Sequence, residues 1–356
     1  MVKVIIEGLS MKYEKKYILD NLSVDIHDGE LLVILGESGC GKSTLLKIIA
    51  GIIEPENGSI LFNKSNITYY PPQKRKIGYV PQAQVLFPHM TVEQNIKFGL
   101  EARKLSKEDI AKKLDWITEL TQIEDLLHRY PREISGGQKQ RVALGRAMAI
   151  EPDVLLLDEP LSSIDASGRE TLALSIRRIQ KQTNTTTIYV THSSEEARLI
   201  CDRVAIMYDG KIQQIGKIIE IDQRPLNYLV AKIMGTDNVW PVQYVKQFDT
   251  GSILSVPIGE IKLQRKLDKK ISGIKIHPSA FQISDSEDRT KNTNFFYGII
   301  KSVVELNETT LRLIVDIKHT HSEYVKVDYP KEKLKSKFLE DEEVTLIIDS
   351  EEVTLI

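Results

Sequence analysis

The chain has 356 residues, 41% of them hydrophobic, which is the length of two domains, or one large domain with an appendix, and enough apolar content for ordinary cores. Its 48 basic and 50 acidic residues leave a net charge of −2, so no global field recruits nucleic acid or anionic lipid, and partners must be chosen by local surface. Two cysteines, Cys40 and Cys201, without metal-like spacing, argue against a disulfide framework and for a reducing compartment. The opening MVKVIIEGLS meets an acid at Glu7 and lacks a cleavage site, so no signal peptide is expected. No stretch approaches the ~20 apolar residues of a membrane-spanning helix, so any membrane association is expected to go through a partner.

Val2 to Ile6 and Leu22 to Ile26 read as short strands separated by the polar stretch Lys12 to Lys16, which predicts an antiparallel start. Tyr13, in that stretch, reads equally as a surface tyrosine or as a ring that stacks on a purine. The apolar run Glu30 to Leu35 leads into GESGCGKST, Gly36 to Thr44, and then into the helix-like run Lys42 to Ala50. That is the context of a phosphate-binding loop. Its glycines let successive N–H groups converge on phosphate oxygens at a helix N-terminus, and Lys42 adds a fixed positive charge. Ser43 carries the hydroxyl that normally ligates Mg²⁺, and Thr44 adds a second hydroxyl. Cys40 reads as a small filler, with alkylation beside bound nucleotide as the minor alternative.

Ser59 to Asn63 resumes as a strand, and Ile77 to Gln82 is another that ends on an amide able to ligate a metal or orient water. From Thr91 to about Ala149 the periodicity is helical, a helical insertion closing in ISGGQKQRVALGRAMA. There Ser135 and paired glycines stand at a helix start, either as a capped turn or as a second anion site that a single mononucleotide fold does not need. Val154 to Pro160 places four aliphatics before two carboxylates, the pattern of a strand buried on both faces. Asp158 suits Mg²⁺ through water, and Glu159 can accept a proton from attacking water. Thr186 to Val190 is a further aliphatic strand, and His192 just beyond it reads either as a surface histidine at a helix cap or as a contact to a terminal phosphate, the second favoured by its place at a strand end. Asp209-Gly210 predicts a hairpin between Val204 to Tyr208 and Lys211 to Ile215.

Beyond Gly235 short alternating strands take over: Val239 to Val245, Ser252 to Val256, Ile258 to Leu263, Gly273 to Ile276, Phe296 to Leu306 and Leu311 to Ile317. This predicts a separate all-β region, with its boundary at Gly235 to Asn238. EEVTLI, at Glu342 to Ile347 and again at Glu351 to Ile356, reads as two similar strands and not as a repeat architecture.

Taken in order, these segments resemble the ATP-binding-cassette (ABC) ATPases over the first 235 residues. GESGCGKST looks like the Walker A loop, YVPQ the Q-loop, ISGGQ the signature, VLLLDEP the Walker B strand, LSSID the D-loop and THSSEEA the H-loop. LFPHMTVEQNI and the β-rich tail, with GIKIHPSAFQIS and FFYGIIKSV, narrow the resemblance to ATPase subunits of binding-protein-dependent importers with OB-like C-terminal segments. The implied fold is an α/β P-loop NTPase domain (residues 1–235, helical subdomain about 85–150) followed by an all-β OB-like domain (236–356).

The implied cofactors are ATP and Mg²⁺. The resemblance implies that Tyr13 stacks on adenine and that Gly36, Glu37, Ser38, Gly39, Cys40, Gly41, Lys42, Ser43 and Thr44 wrap the phosphates. Ser43 and Gln82 would hold Mg²⁺, with Asp158 through water. Glu159 would be the general base and His192 the γ-phosphate sensor. Ser135, Gly136, Gly137 and Gln138 would act in trans in a head-to-tail homodimer, with Asp165 in the loop that crosses its interface. Other implied partners are a membrane permease, reached through the surface from Gln82 to His89, and indirectly an extracytoplasmic solute-binding protein. The chain would then work at the cytoplasmic face of the membrane.

Three departures stand out: Ile134 where the signature usually has Leu, Ser193-Ser194 for Asp-Gln after the histidine, and Ser163-Ile164 for Ala-Leu in the D-loop. The expected cargo is an inorganic ion such as molybdate or tungstate, sulfate or ferric ion, with sugar or polyamine as alternatives. A soluble cassette ATPase acting on nucleic acid or ribosomes is the other functional class. It is disfavoured because the basic cluster Arg265, Lys266, Lys269 and Lys270 lies apart from Phe295 and Phe296, so no aromatic-lined basic groove is indicated.

Overall fold

Four aliphatics in a row suit a strand covered on both faces, and the Val154–Asp158 strand is buried at every position. The computed structural model describes residues 2–83, 85–267, 270–284, 293–318, 320, 323–334 and 338–356. It divides into two units, Met1–Ile221 and Asp222–Ile356.

The first unit opens with an antiparallel hairpin of β1 (Val4–Tyr13) and β2 (Lys16–Ile26), joined by β4 (Asn57–Phe62) and β5 (Ser65–Asn66) in the order β2-β1-β4-β5. The antiparallel start is as expected, and the turn at Glu14-Lys15 lies in the polar stretch expected to join the strands, although both strands extend into that stretch and pair Tyr13 with Lys16. Register shifts along β1 let polar residues stay outward while pairing continues. The central sheet contains β3 (Leu31–Leu35), β6 (Ile77–Val80), β7 (Val154–Asp158), β8 (Thr186–Thr191), β9 (Arg203–Tyr208) and β10 (Lys211–Gly216), in the order β10-β9-β3-β8-β7-β6. All its pairings are parallel except the β9–β10 hairpin at Asp209-Gly210. In such a sheet the strand C-termini gather at one edge, where α/β proteins bind ligands.

α1 (Lys42–Ile49) follows β3. Its buried Leu45, Leu46, Ile48 and Ile49 join Val4, Ile6 and Leu22 of the antiparallel sheet and Ile34, Leu156 and Val190 of the central sheet in one core. The helical insertion consists of α2 (Val92–Ala102), α3 (Lys107–Thr121) and α4 (Gly136–Met148), capped by Thr91, Ser106 and Ser135 respectively. α5 (Ala166–Thr183) is capped by Asp165, and α6 (Ser194–Ile200) by Ser193.

Asp202 ties α5 to β3. Burial by itself would raise its carboxyl, but hydrogen bonds from Arg177 and from the Leu31 N–H outweigh that and hold it down at about 2. A carboxyl held below its unfolded pKa of about 4 contributes stability that is fully present above that pH and is lost as pH falls toward the folded value. The stability gap between the wild type and Asp202→Asn is therefore expected to be widest above about pH 4 and to close toward about pH 2. Urea midpoints at neutral and acid pH check this, and a gap independent of pH would contradict it.

The second unit was expected to begin near Gly235, yet it starts at Asp222. α7 (Ile218–Gln223) leads into it, and α8 (Tyr228–Ile233) belongs to it. The Tyr228 N–H donates to Ser272 Oγ at 3.0 Å, and Asp237 holds Arg312 and Lys326 at 3.0 and 2.7 Å. These tertiary bonds, invisible in local sequence, draw the preceding helix in with the strands.

Val239 to Val245, read as one strand, is two: β11 (Val239–Pro241) and β12 (Tyr244–Phe248), in different sheets. The chain follows with β13 (Gly251–Val256), β14 (Gly259–Leu263), β15 (Gly273–Ile276), β16 (Gln282–Ser284), β17 (Thr293–Glu305), β18 (Thr310–Ile317), β19 (Tyr324–Pro330), β20 (Glu343–Asp349) and β21 (Val353–Leu355). Among the described residues the sheets are β11-β15-β21, β12-β13-β14 and β16-β20-β17-β18-β19, around one core that includes Trp240, Ile261, Phe296, Val315 and Leu346. β16 and β19 were not expected. The two EEVTLI echoes are separate strands, β20 beside β17 and β21 beside β15. Lys269 of the basic cluster lies outside the described residues.

Candidate nucleotide site

The loop between β3 and α1 is shaped by close approach. A Cβ on Gly36 would lie 2.3 Å from the Met207 carbonyl oxygen, and Gly41 has φ +107° with the Ile18 carbonyl 2.6 Å from where its Cβ would be. A side chain at either position would force the loop out of shape. Lys42 is only 4% exposed, and its Nζ donates to the carbonyls of Gly36 (2.8 Å) and Glu37 (3.0 Å), so the loop is curled around its own cation. Cys40, within the loop, is buried, and burial pushes its thiol pKa up, which favours the filler role over alkylation.

The ends of β6, β7 and β8 meet this loop. Ser43 Oγ donates to Asp158 Oδ1 at 2.8 Å. Glu159, just past β7, adopts φ +43°, and its N–H donates to the Val190 carbonyl of β8. This turned backbone accompanies a carboxylate that lies 3.7 Å from Lys42 Nζ and accepts from Gln82 Nε2 at 3.3 Å. His192 Nδ1 stands 3.3 Å from the same Glu159 oxygen. Lys42, Ser43, Gln82, Asp158, Glu159 and His192, spread over most of the first unit, are thus brought together.

A cavity of about 400 Å³ opens over the loop, lined by Ser38, Gly39, Thr44, Gln82 and Glu159 among others, with Tyr13 and Ile18 on one wall. Tyr13 is 49% exposed, an uncovered ring where a purine could stack. Gly36, Glu37 and Cys40 do not line it. Ser43, Gln82 and Asp158 carry a hydroxyl, an amide and a carboxylate, whose hard oxygens fit Mg²⁺, an ion that keeps waters and takes its remaining ligands from phosphates.

Ser135 to Gln138 are not in this cavity. Ser135 and Gln138 cap α4 reciprocally, the Ser135 N–H donating to Gln138 Oε1 at 2.9 Å. With Gly136, Gly137 and Asp165 they line a separate cavity of about 860 Å³, which has no lining residue in common with the first. A Cβ on Gly137 would meet nothing within 4 Å, so its backbone is open to a close-packed ligand.

Sequence reasoning missed Ile18, Tyr79, Tyr189 and Glu196. Glu196, nearly buried, accepts from the Tyr189 hydroxyl at 2.7 Å and from Thr191 Oγ1 at 2.8 Å, while the Ser193 N–H donates to Thr191 Oγ1. This closed network holds the turn that carries His192. Period-two alternation could have placed Tyr79 on the same face as the core, but nothing local marks Glu196 as buried.

A phosphate-binding loop on a parallel sheet, with an acidic strand end opposite it, defines a P-loop NTPase. A sequence profile described as ABC transporter matches residues 19–162. The Fe(3+) ions import ATP-binding protein FbpC of Fusobacterium nucleatum is 45% identical over 292 residues, 81% of this chain and 77% of that protein. The molybdate/tungstate import ATP-binding protein WtpC of Pyrococcus abyssi is 39% identical over 301 residues, 85% of this chain and 86% of that protein. Relatives named for spermidine/putrescine and for sulfate/thiosulfate import also match, at 36% and 41% identity. Among solved structures, the ATP-binding cassette MJ0796, a dimer in a post-hydrolysis state bound to ADP and Pi, aligns with TM-score 0.54 at 28% identity, covering 60% of this chain and 98% of its own. The chain belongs to the ABC transporter ATPases, in the group of import ATP-binding proteins, and is an ATP-hydrolysing enzyme.

Proposed function

We propose that this chain powers solute import as one half of a head-to-tail homodimer docked on a separate membrane permease, at the cytoplasmic face of the membrane. The observation that carries the dimer is the separation of the two cavities. The phosphate loop has no signature residue beside it, so a second copy is needed to bring Ser135, Gly136, Gly137 and Gln138 over the nucleotide, with Asp165 at the interface. In this reading Tyr13 and Ile18 hold the adenine, and the loop from Gly36 to Thr44 holds the phosphates. Ser43 and Gln82, with Asp158 through water, would hold Mg²⁺, which when bound neutralises charge on the β- and γ-phosphates. Glu159 takes the proton of the attacking water, and His192 contacts the γ-phosphate.

The permease-facing surface is the segment from Gln82 to His89, within which Gln84 lies outside the described residues. Its far end is stiff, since the buried Asn95 side chain bonds the backbone at Phe87, Met90 and Thr91. That stiffness suits a lever that passes movement of the insertion to a partner. Relatives named for ferric ion and molybdate/tungstate support an inorganic ion as cargo, delivered by an extracytoplasmic binding protein. The ATPase domain and the OB-like unit divide the work, the second serving in regulation.

The test is purification of the tagged chain in mild detergent from its native membranes, with mass spectrometry of what co-purifies. Recovery of a multi-span permease is the expected result, and a co-purifying binding protein would identify the cargo. Recovery only with ribosomal or DNA-associated proteins would replace the import reading with the soluble one.

A further inference from the structure

Asp158 is 3% exposed and carries a donor on each carboxylate oxygen: Ser43 Oγ at 2.8 Å on Oδ1 and the Tyr79 hydroxyl at 3.2 Å on Oδ2. The strand register explains the second contact. β6 runs parallel to β7 with Tyr79 beside Leu156, and Asp158, two residues on, projects from the same face as Leu156. Tyr79 also packs against the core cluster that holds Leu46, Val154 and Leu156, so its ring has little freedom to swing and its hydroxyl is delivered to one place.

An aspartate carboxylate turns easily about its last torsion, and one donor on one oxygen leaves that rotation soft. Ser43 sits at the start of α1 and must share its oxygen with an arriving ion, so its hold on Oδ1 is the one that changes on binding. The Tyr79 contact, on the far oxygen and anchored in the core, need not change.

We propose that Tyr79 is a positioning residue of the Mg²⁺·ATP site, fixing the plane of the Asp158 carboxylate so that Oδ1 stays directed toward Ser43, where the ion and its waters are received. The proposal rests on the reading of Ser43 and Asp158 given above. A carboxylate that is already oriented need not be ordered when the ion arrives, and that saving appears as metal affinity.

The test uses the full chain with Tyr79→Phe, which removes one oxygen and keeps the packed ring. Mn²⁺, the probe for the metal, is followed by electron paramagnetic resonance in the presence of a non-hydrolysable ATP analogue. Mn²⁺ binding is expected to weaken roughly tenfold. The Mg²⁺ concentration for half-maximal ATPase should rise by the same factor, whereas affinity for a fluorescent ATP analogue in EDTA should be unchanged. Thermal melting reports whether the variant is folded, and Tyr79→Met, which removes the hydroxyl but keeps bulk, substitutes if it is not.

Unchanged Mn²⁺ affinity in Tyr79→Phe together with weakened binding in Asp158→Asn would overturn the role of Tyr79 and leave the site reading standing. Unchanged Mn²⁺ affinity in both variants would overturn both. Equal weakening of metal-free and metal-dependent nucleotide binding would reduce Tyr79 to packing under the loop, which also overturns the proposal.

Discussion

Glu159→Gln is expected to lower steady-state ATP hydrolysis roughly 10²-fold or more while leaving ATP binding intact. The amide keeps the size of the carboxylate and can still bond Gln82 and His192, so the geometry around the turn at φ +43° survives. What it loses is the basicity needed to take a proton from water. The substitution also removes the negative charge 3.7 Å from Lys42 Nζ, which competes with a phosphate for that cation. Binding should therefore hold or tighten, and the ATP-bound dimer should persist. Phosphate release measured beside gel filtration with ATP separates the two effects. Near-normal turnover would remove Glu159 from the role of base.

Arg75→Met is expected to destabilise the first unit by roughly 3 to 5 kcal/mol. Arg75 is 3% exposed, and its guanidinium donates only to carbonyls: Nε to Tyr70 at 2.6 Å, Nη1 to Ile48 and Ile49 at 2.8 and 2.7 Å, and Nη2 to Thr68 at 2.7 Å. Two of these acceptors belong to the last turn of α1, where a cation also complements the helix dipole. Methionine fills much of the volume but leaves buried acceptors without donors. Each kcal/mol moves the melting temperature about 2–4 °C for a unit of this size, so a fall of about 10 °C is expected. Arg75→Lys should recover part of it, because a single ammonium cannot serve four carbonyls set around a planar fork. Differential scanning calorimetry decides, and a fall under about 2 °C would show that water or neighbouring groups satisfy the carbonyls.

Arg75 shows where local reading ends. It lies in PPQKRK, a run whose composition describes a solvated turn, and its burial follows from where α1 ends relative to Thr68 and Tyr70, not from its neighbours in sequence. Glu196 was hidden in the same way, as a charged residue in a short helix that turns out to face two hydroxyls from β8. In the second unit, Val239 to Val245 is rich in strand-forming residues but is interrupted by Pro241, where β11 ends, and β12 starts again at Tyr244 in a different sheet. Strand propensity has no information about which partner a strand will find.

By itself the sequence determined the phosphate loop, the buried acidic strand, the order of helical insertion and strands, and through these the enzyme class. Each rests on short-range chemistry: glycine spacing, aliphatic runs and capping residues act within a few positions of one another. Only the tertiary structure decided that Ser43 reaches Asp158 across 115 positions, that Gln82 and His192 share one oxygen of Glu159, and that Tyr79 holds the other side of Asp158. It also decided that Ser135 to Gln138 line a cavity of their own. Those arrangements depend on parallel register and on which face of the sheet each residue takes, and both are set by packing among segments far apart in the chain.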